Sequence, residues 1–505
     1  MTSRCAPQRL EGQGAPRPGP RIRKEGTPAV VSEHQGVYPY GYRRTATTEE
    51  LRARWESLES GTEAPDGPVR VAGRLRTLRR HGKVAFADLE DGTGEVQLFA
   101  QTDVLGSERV GEFGGLSVGD IVGAEGRVMK TRRGELSVKV GSFDLLAPCR
   151  RPMPEKWHGL TDVESRHRQR HLDLIFNPQS RRLVETRAGA NAAIRRLLEG
   201  EGFLEVETPL LHPIAGGAVA RPFSTHYNAL DIDLYLRIAP ELHLKRLLIG
   251  GLEKVYELNR SFRNEGVSAR HNPEFTMLEA YEAYVDYTRT MSLVESLVVA
   301  IARAVGEVMP EGAPDLELDP PFARISMFEA IAKATGRDLT EAWFEERWDS
   351  VRAEAEALDV RVGPAWPPGK VLAEIYESRA ERELTGPVFV TGFPKDVSPL
   401  AKDHRTIPGF TEHADLVMKG VEIAPIYSEL NDPEEQRRRF QAQAAARAAG
   451  DEEATLPDED FLEALAYGMP PAGGFGLGID RLLMFLTDTP SIREVILWPT
   501  LKPEG

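Results

Sequence analysis

Cysteine is scarce: only Cys5 and Cys149 occur in 505 residues, too few for a disulfide framework or a zinc set, which points to a reducing compartment. Long apolar runs are missing too. No stretch approaches the ~20 residues of a membrane span, and the opening MTSRCAPQRLEGQG lacks the apolar core of a secretion signal. The expectation is a soluble cytoplasmic protein with no membrane partner. Positive charge is in deficit, with 63 Lys+Arg against 78 Asp+Glu and a net charge of -15. This excludes a molecule coated in basic surface but not one with local nucleic-acid contacts. At 41% hydrophobic composition a chain of this length can bury a large core spread over two or three domains.

Residues 1–36 are rich in Pro, Gly and Arg without apolar periodicity, which predicts a disordered tail. A short N-terminal segment, 37–67, follows, with a helix expected from Thr48 to about Ser60. From Pro68 the pattern changes to short runs, VRVAGRLRTL, KVAFADLED, GEVQLFAQ, DIVGAEGRVMKT and ELSVKVGSFDLL, separated by Gly-containing turns. Five strands at this spacing predict an all-β OB-fold barrel over 68–150, a common platform for single-stranded nucleic acid. Residues 68–150 carry 13 Lys+Arg against 11 Asp+Glu in an otherwise acidic chain. The basic residues cluster as Arg74, Arg76, Arg79, Arg80 and Lys83, and as Lys130, Arg132 and Arg133. Taken alone, these clusters equally describe a solvated strand face, and Phe86 suits the barrel core.

The stretch Val255–Tyr287 reads as a strand, a polar loop and a return strand. Arg263 sits where the first strand ends, and the loop carries Glu265, Arg270 and His271. Alternation on the return strand places Phe275, Met277, Glu279 and Tyr281 on one face, giving a pocket floor of aromatic ring, carboxylate and phenol beside an arginine. Downstream, DLVMKGVEIAPIYSELND predicts a hairpin turning at Lys419-Gly420. In a regular hairpin Val417 faces Glu422 and Asp415 faces Ala424, which leaves Asp415 and Glu422 diagonal neighbours on one face. Such a pair suits Mg²⁺ shared with triphosphate oxygens, or is simply an exposed acidic face.

Three stretches together carry a resemblance. FRNEGVSARHNPEFTMLEAY resembles motif 2 of class II aminoacyl-tRNA synthetases, in detail that of the lysyl-tRNA synthetases. FLEVETPLL, closed by Pro209, resembles motif 1, and GGFGLGIDRLLMFLT resembles motif 3. The resemblance implies an α+β class II catalytic domain over 151–505, with an antiparallel sheet and flanking helices, preceded by the barrel as an anticodon-binding domain. It implies ATP and L-lysine as substrates, a lysine-accepting tRNA as partner, and a homodimer built through the helix from Ser180 to Glu199 and the motif 1 strand.

The resemblance also assigns residues. Arg263 and Arg481 are the catalytic arginines, the first clamping the lysine carboxylate and the ATP α-phosphate, the second stacking on adenine opposite Phe275. A guanidinium suits such work as a planar fork of donors that stays charged. Glu265, Arg270 and His271 complete the ATP site. Glu241 receives the α-ammonium, although a first-turn carboxylate after Pro240 also suits helix capping. Glu429 reads the ε-ammonium with Glu279 and Tyr281, and Gly217 and Tyr427 belong to the same lysine pocket. Asp415 and Glu422 hold Mg²⁺, and Phe86 and Gln97 meet anticodon bases.

The chain departs from the usual pattern at His243, Gly392 and Asp415, and most where Pro425-Ile426-Tyr427 stand in place of Asn-Gly-Phe. These departures keep two other readings open: a paralogue that activates lysine or a related amino acid for a non-tRNA acceptor, and a non-catalytic nucleic-acid-binding relative. An odd spacing would set Glu422 and Glu429 on opposite faces of an ideal strand, so a bulge or bend is expected between them.

Overall fold

The computed structural model describes residues 38–154, 160–218, 220–309, 318–364, 366–448 and 457–503. The tail expected over residues 1–36 lies outside these residues, as do part of the Pro-containing link that follows the barrel and the position near Gly450 where the sequence ends a helix opening at Pro433. The chain divides into two compact units, Met1–Glu155 and Lys156–Gly505.

In the first unit Thr47 caps the helix Thr48–Trp55 through a reciprocal capping box with Glu50. The helix stops short of the expected Ser60. Leu58 N–H bonds back to Trp55, and Ser60 with Gly61 at φ 88° turns the chain away. The barrel strands β1 (Val69–His81), β2 (Val84–Glu90), β3 (Glu95–Gln101), β4 (Ile121–Lys130) and β5 (Leu136–Ala147) close in the order β1-β2-β3-β5-β4. Alternation fills the interior with Ala85, Ala87, Leu89, Val96, Leu98 and Ala100, which leaves Phe86, Asp88, Gln97 and Phe99 half-buried on the outer face.

Among its described residues the second unit has eleven strands: β6 (Leu204–Glu205), β7 (Leu211–His212), β8 (Ser224–Tyr227), β9 (Ile232–Leu236), β10 (Lys254–Phe262), β11 (Glu274–Ala283), β12 (Ala323–Ser326), β13 (Val388–Pro394), β14 (Phe410–Met418), β15 (Val421–Ser428) and β16 (Ala472–Gly478). Eight form one sheet in the order β12-β13-β14-β15-β16-β11-β10-β6, and β7-β9-β8 form a small one. Pairing in the large sheet is antiparallel except at its two outer pairs, β12/β13 and β6/β10. This is the α+β antiparallel architecture expected from the motifs.

One face of the sheet is covered by the helices Pro178–Gly200 and Tyr287–Val308. Ala190, Ile194 and Leu198 of the first and Leu293, Leu297 and Ile301 of the second meet Leu278, Ala280, Leu416, Ile426 and Phe475 of the strands in one core. The other face holds the pocket. A separate core gathers Met327, Ile331, Trp343, Val351, Val371 and Ile375 and ends in a π-helical turn, Tyr376–Ala380. Among the described residues no helix is long and apolar enough to cross a membrane.

Buried polar links join the motif stretches. Arg237 donates to Glu257 Oε1 at 2.6 Å, and Thr208 donates to the other carboxylate oxygen at 2.6 Å. Asp480 accepts from Arg187 of the long helix and from Thr276 N–H, the latter at 2.6 Å. Each carboxylate is spent on two donors, which is what a buried charge requires.

Candidate active site

The hairpin turn forms where the sequence places it, with Lys419 at φ 49° and Gly420 at φ 69°, the paired positive values of a tight β14–β15 turn. Val417 faces Glu422 as expected. The next step differs. The register shifts between Leu416 and Val417, so Ala424 pairs with Leu416 and Asp415 pairs with Pro425 rather than Ala424. Ile423 is the extra residue of a bulge. It restores a common face to Glu422 and to Pro425, Tyr427 and Glu429, which is the irregularity the odd spacing demands. Ile426 lies on the opposite face, fully buried in the core, so of the three departures at this point Pro425 and Tyr427 line the pocket.

A cavity of about 470 Å³ opens on this face. Gly217, Glu241, Arg263, Glu265, Arg270, His271, Phe275, Glu279, Tyr281, Asp415, Glu422, Tyr427 and Arg481 all line it. Glu429 is not among the lining residues. It is 1% exposed and lies behind the wall, where Lys245 Nζ approaches its Oε2 to 2.6 Å.

At one end, Arg263 directly follows β10, and its guanidinium lies 5.2 Å over the Phe275 ring. Its buried Nε has no hydrogen-bond partner, a donor held ready for an incoming acceptor. Arg481, in the first turn of the helix Ile479–Leu486, donates to Glu422 O at 3.0 Å and to His271 Nε2 at 3.0 Å. His271 takes Ser268 at its other nitrogen. The arginine of the motif 3 stretch is thereby fixed against the motif 2 loop.

At the other end Tyr281 donates to Glu279 Oε2 at 3.3 Å. Burial, reinforced by Glu241, pushes the Glu279 carboxyl up to about 8. Gly474 of β16 pairs opposite Tyr281. A side chain at Gly474 would come within 2.5 Å of the Tyr281 ring and closer still to Glu429 Oε1. The glycine therefore admits these two side chains.

The third wall holds residues that sequence reasoning missed. His413 lies two residues before Asp415 on β14. Its Nε2 is 2.8 Å from Asp415 Oδ1, its Nδ1 is 2.8 Å from Ser398 Oγ, and its ring stacks on Phe393 at 3.9 Å between centroids. Burial pushes its pKa down to about 3. The neutral ring donates to the carboxylate and accepts the serine hydroxyl, the tautomer its partners select. Burial and Glu422 together hold the Asp415 carboxyl well above the usual range. The π-helical turn adds Glu377 and the next residues add Glu381, whose Oε1 accepts Glu422 N–H at 2.8 Å; both carboxyls are pushed up to about 7, by burial first and their acidic neighbours second. Among the described residues no three such side chains converge as a ready-made metal cage. Repelling carboxylates on the cavity wall do fit a hard cation completed by ligand oxygens.

In the first unit Phe86 stacks on Phe99, 5.0 Å between centroids and 18° between planes. Arg79 is opposite Phe86 on β1, and Gln97 is opposite Asp88 and beside Ser137. Phe86 therefore belongs to the outer face and not to the barrel core.

A family model for class II tRNA synthetases (D, K and N) matches residues 162–502, and one for the OB-fold nucleic acid binding domain matches residues 69–146. The lysine–tRNA ligase of Moorella thermoacetica is 52% identical over 476 residues, covering 94% of this chain and 96% of the relative. The chain belongs to the lysine–tRNA ligase family of class II synthetases. Other members are similarly near: that of Xanthomonas campestris is 49% identical over 93% of this chain and 94% of its own, and that of Bacillus subtilis 48% over 92% and 94%.

Proposed function

We infer that this chain activates L-lysine with ATP and transfers the lysyl group to the 3′ end of a lysine-accepting tRNA. The observation that carries this reading is one cavity lined by Glu241, Arg263, Glu279 and Tyr281 next to Phe275 and Arg481, in a chain about half identical to lysine–tRNA ligases over nearly its whole length. The lysine carboxylate attacks the ATP α-phosphorus and pyrophosphate leaves, so the protein's task is alignment and charge neutralisation rather than proton transfer. Arg263, with its unpaired Nε and its place over Phe275, spans the lysine carboxylate and the α-phosphate in this reading. Phe275 and Arg481 enclose adenine, and Glu265, Arg270 and His271 face the nucleotide. Glu241 receives the α-ammonium, with Gly217 beside it, where a Cβ would crowd Glu241. Glu279, Tyr281, Tyr427 and Glu429 form the end that takes the ε-ammonium.

Asp415 and Glu422 would hold Mg²⁺, which neutralises the triphosphate and the leaving pyrophosphate when bound. The shorter aspartate and its tie to His413 are compatible with one contact passing through water. Leu204, Leu210 and Leu211 of the motif 1 stretch are exposed, which supports that surface as a homodimer interface. Scarce cysteine supports a cytoplasmic setting. The direct experiment is ATP–pyrophosphate exchange with each amino acid: lysine should drive it, and exchange driven by a different amino acid alone would sink the reading.

Phe86 and Gln97 are proposed to meet anticodon bases, with Phe86 and Phe99 as the stacking platform. Phe86→Ala should leave lysine-dependent exchange unchanged and weaken tRNA charging by ~1 to 3 kcal/mol of lost stacking. Charging at unchanged kcat/KM would remove the barrel face from tRNA recognition. Pro425 offers no N–H and no polar side chain to the cavity, and one or two missing hydrogen bonds to a charged ligand correspond to roughly 1.5 to 3 kcal/mol, or about ten- to a hundredfold. Pro425→Asn should accordingly lower the KM for lysine in pyrophosphate exchange. Ile426 is left alone because it fills the core. An unchanged KM would show that this wall does not limit binding.

A further inference from the structure

Lys245 belongs to the helix Glu241–Ile249 and would be read from sequence as a solvent-facing cation at i+4 from Glu241. It is instead 0% exposed. Its Nζ donates to Glu241 Oε1 at 2.6 Å and to Leu400 O at 3.4 Å, and stands 2.6 Å from Glu429 Oε2 in an ion pair without hydrogen-bond alignment. A buried ammonium between two carboxylates is costly unless both charges remain, and no step of the proposed chemistry uses it. We infer that Lys245 is a positioning residue for amino-acid recognition: its ammonium ties the carboxylate assigned to the substrate's α-ammonium to the one assigned to its ε-ammonium, and favours the charged form of Glu429, whose Oε1 lies by Gly474 beside Tyr281. This inference rests on the lysine reading of the pocket and adds to it the device that sets the pocket's charge.

The charge arrangement supports it. Lys245 is the cation placed between Glu241 and Glu429, and without it two carboxylates would face each other uncompensated, a state relieved by taking up a proton. The groups beside Glu429 are Glu241 and Lys245 from the helix, Tyr281 from β11 and Tyr427 from β15. Nearby, Lys402 points to Asn431, and Arg439 to Glu435 and Asp403. Lys245 is thus the cation that Glu429 meets. Burial raises the Glu429 carboxyl to about 7, with Lys245 opposing and Glu241 adding to the rise. Loss of Lys245 therefore moves it further up, so the carboxylate is missing at neutral pH and returns as the pH rises.

The test is pyrophosphate exchange by the full chain and by Lys245→Met, Glu429→Gln and the double variant, at several pH values. Lys245→Met should raise the lysine KM about fivefold at pH 7, since a one-unit rise from about 7 takes the ionised fraction of Glu429 from about a half to about a tenth, with the KM for ATP unchanged. The ratio of its lysine KM to that of the unmodified chain at the same pH should fall severalfold between about pH 6.5 and 8.5. The double variant, which removes charge and countercharge together and so guards against misfolding, should bind lysine no worse than Glu429→Gln alone. A KM ratio flat in pH, a lowered KM, or additive losses in the double variant would overturn the inference while leaving the substrate reading intact. Absence of lysine-dependent exchange in the unmodified chain would instead overturn the reading and the inference with it.

Discussion

Gly474→Ala should abolish lysine-dependent pyrophosphate exchange while the protein still folds and binds ATP. The added Cβ falls within 2.5 Å of the Tyr281 ring and nearer to Glu429 Oε1. Tyr281 cannot retreat easily, since it is 4% exposed and packed with Leu244 and Val255, and Glu429 is anchored by Lys245. Overpacking alone costs about 1 to 3 kcal/mol, and displacing Glu429 from its cation adds roughly 3 to 5 kcal/mol. Together they correspond to a loss of several orders of magnitude in kcat/KM for lysine. Titrating lysine in the exchange assay and ATP in a calorimeter separates the two ends of the cavity. A lysine KM near that of the unmodified chain would show that the wall yields and that Gly474 is not a gauge of pocket width.

Glu429→Gln should be nearly as severe, by a different route. The amide keeps the shape and a hydrogen-bond acceptor but removes the charge that faces Lys245, leaving that ammonium with Glu241 alone and the substrate's ammonium uncompensated. Breaking one partner of a buried pair costs roughly 3 to 5 kcal/mol, or about two to three and a half decades of lysine affinity. Exchange activity close to normal in this variant would remove Glu429 from amino-acid recognition, and its position behind the cavity wall would then be structural.

Much of this was legible locally. The turn at Lys419-Gly420, the face shared by Phe275, Met277, Glu279 and Tyr281, and the place of Arg263 just past β10 follow from short-range rules: which residues tolerate positive φ, and which side chains two apart point the same way. What was not legible depends on partners distant in sequence. The odd spacing between Glu422 and Glu429 requires a bulge somewhere, but only packing against β14 and β16 puts the extra residue at Ile423. His413 gave no signal beyond its alternation with Asp415, because Ser398 and Phe393 come from elsewhere in the chain. Lys245 did leave a trace, the Glu241–Lys245 interval. That interval is common on solvent-facing helices, and only the arrival of Glu429 from just past β15 makes it a buried triad.

The bulge at Ile423 has a consequence for how this segment can vary. Side chains may be exchanged one at a time along β15, but the number of residues between Glu422 and Glu429 has no such freedom. Deleting one residue there would turn either the phosphate-side carboxylate or the amino-acid end of the wall into the hydrophobic interior, and inserting one would do the same in reverse. Length in this stretch is a parity rule, inherited whole or broken whole. A chain that obeys it with a proline in the middle has changed the surface of its pocket without touching the count that holds the two halves in phase.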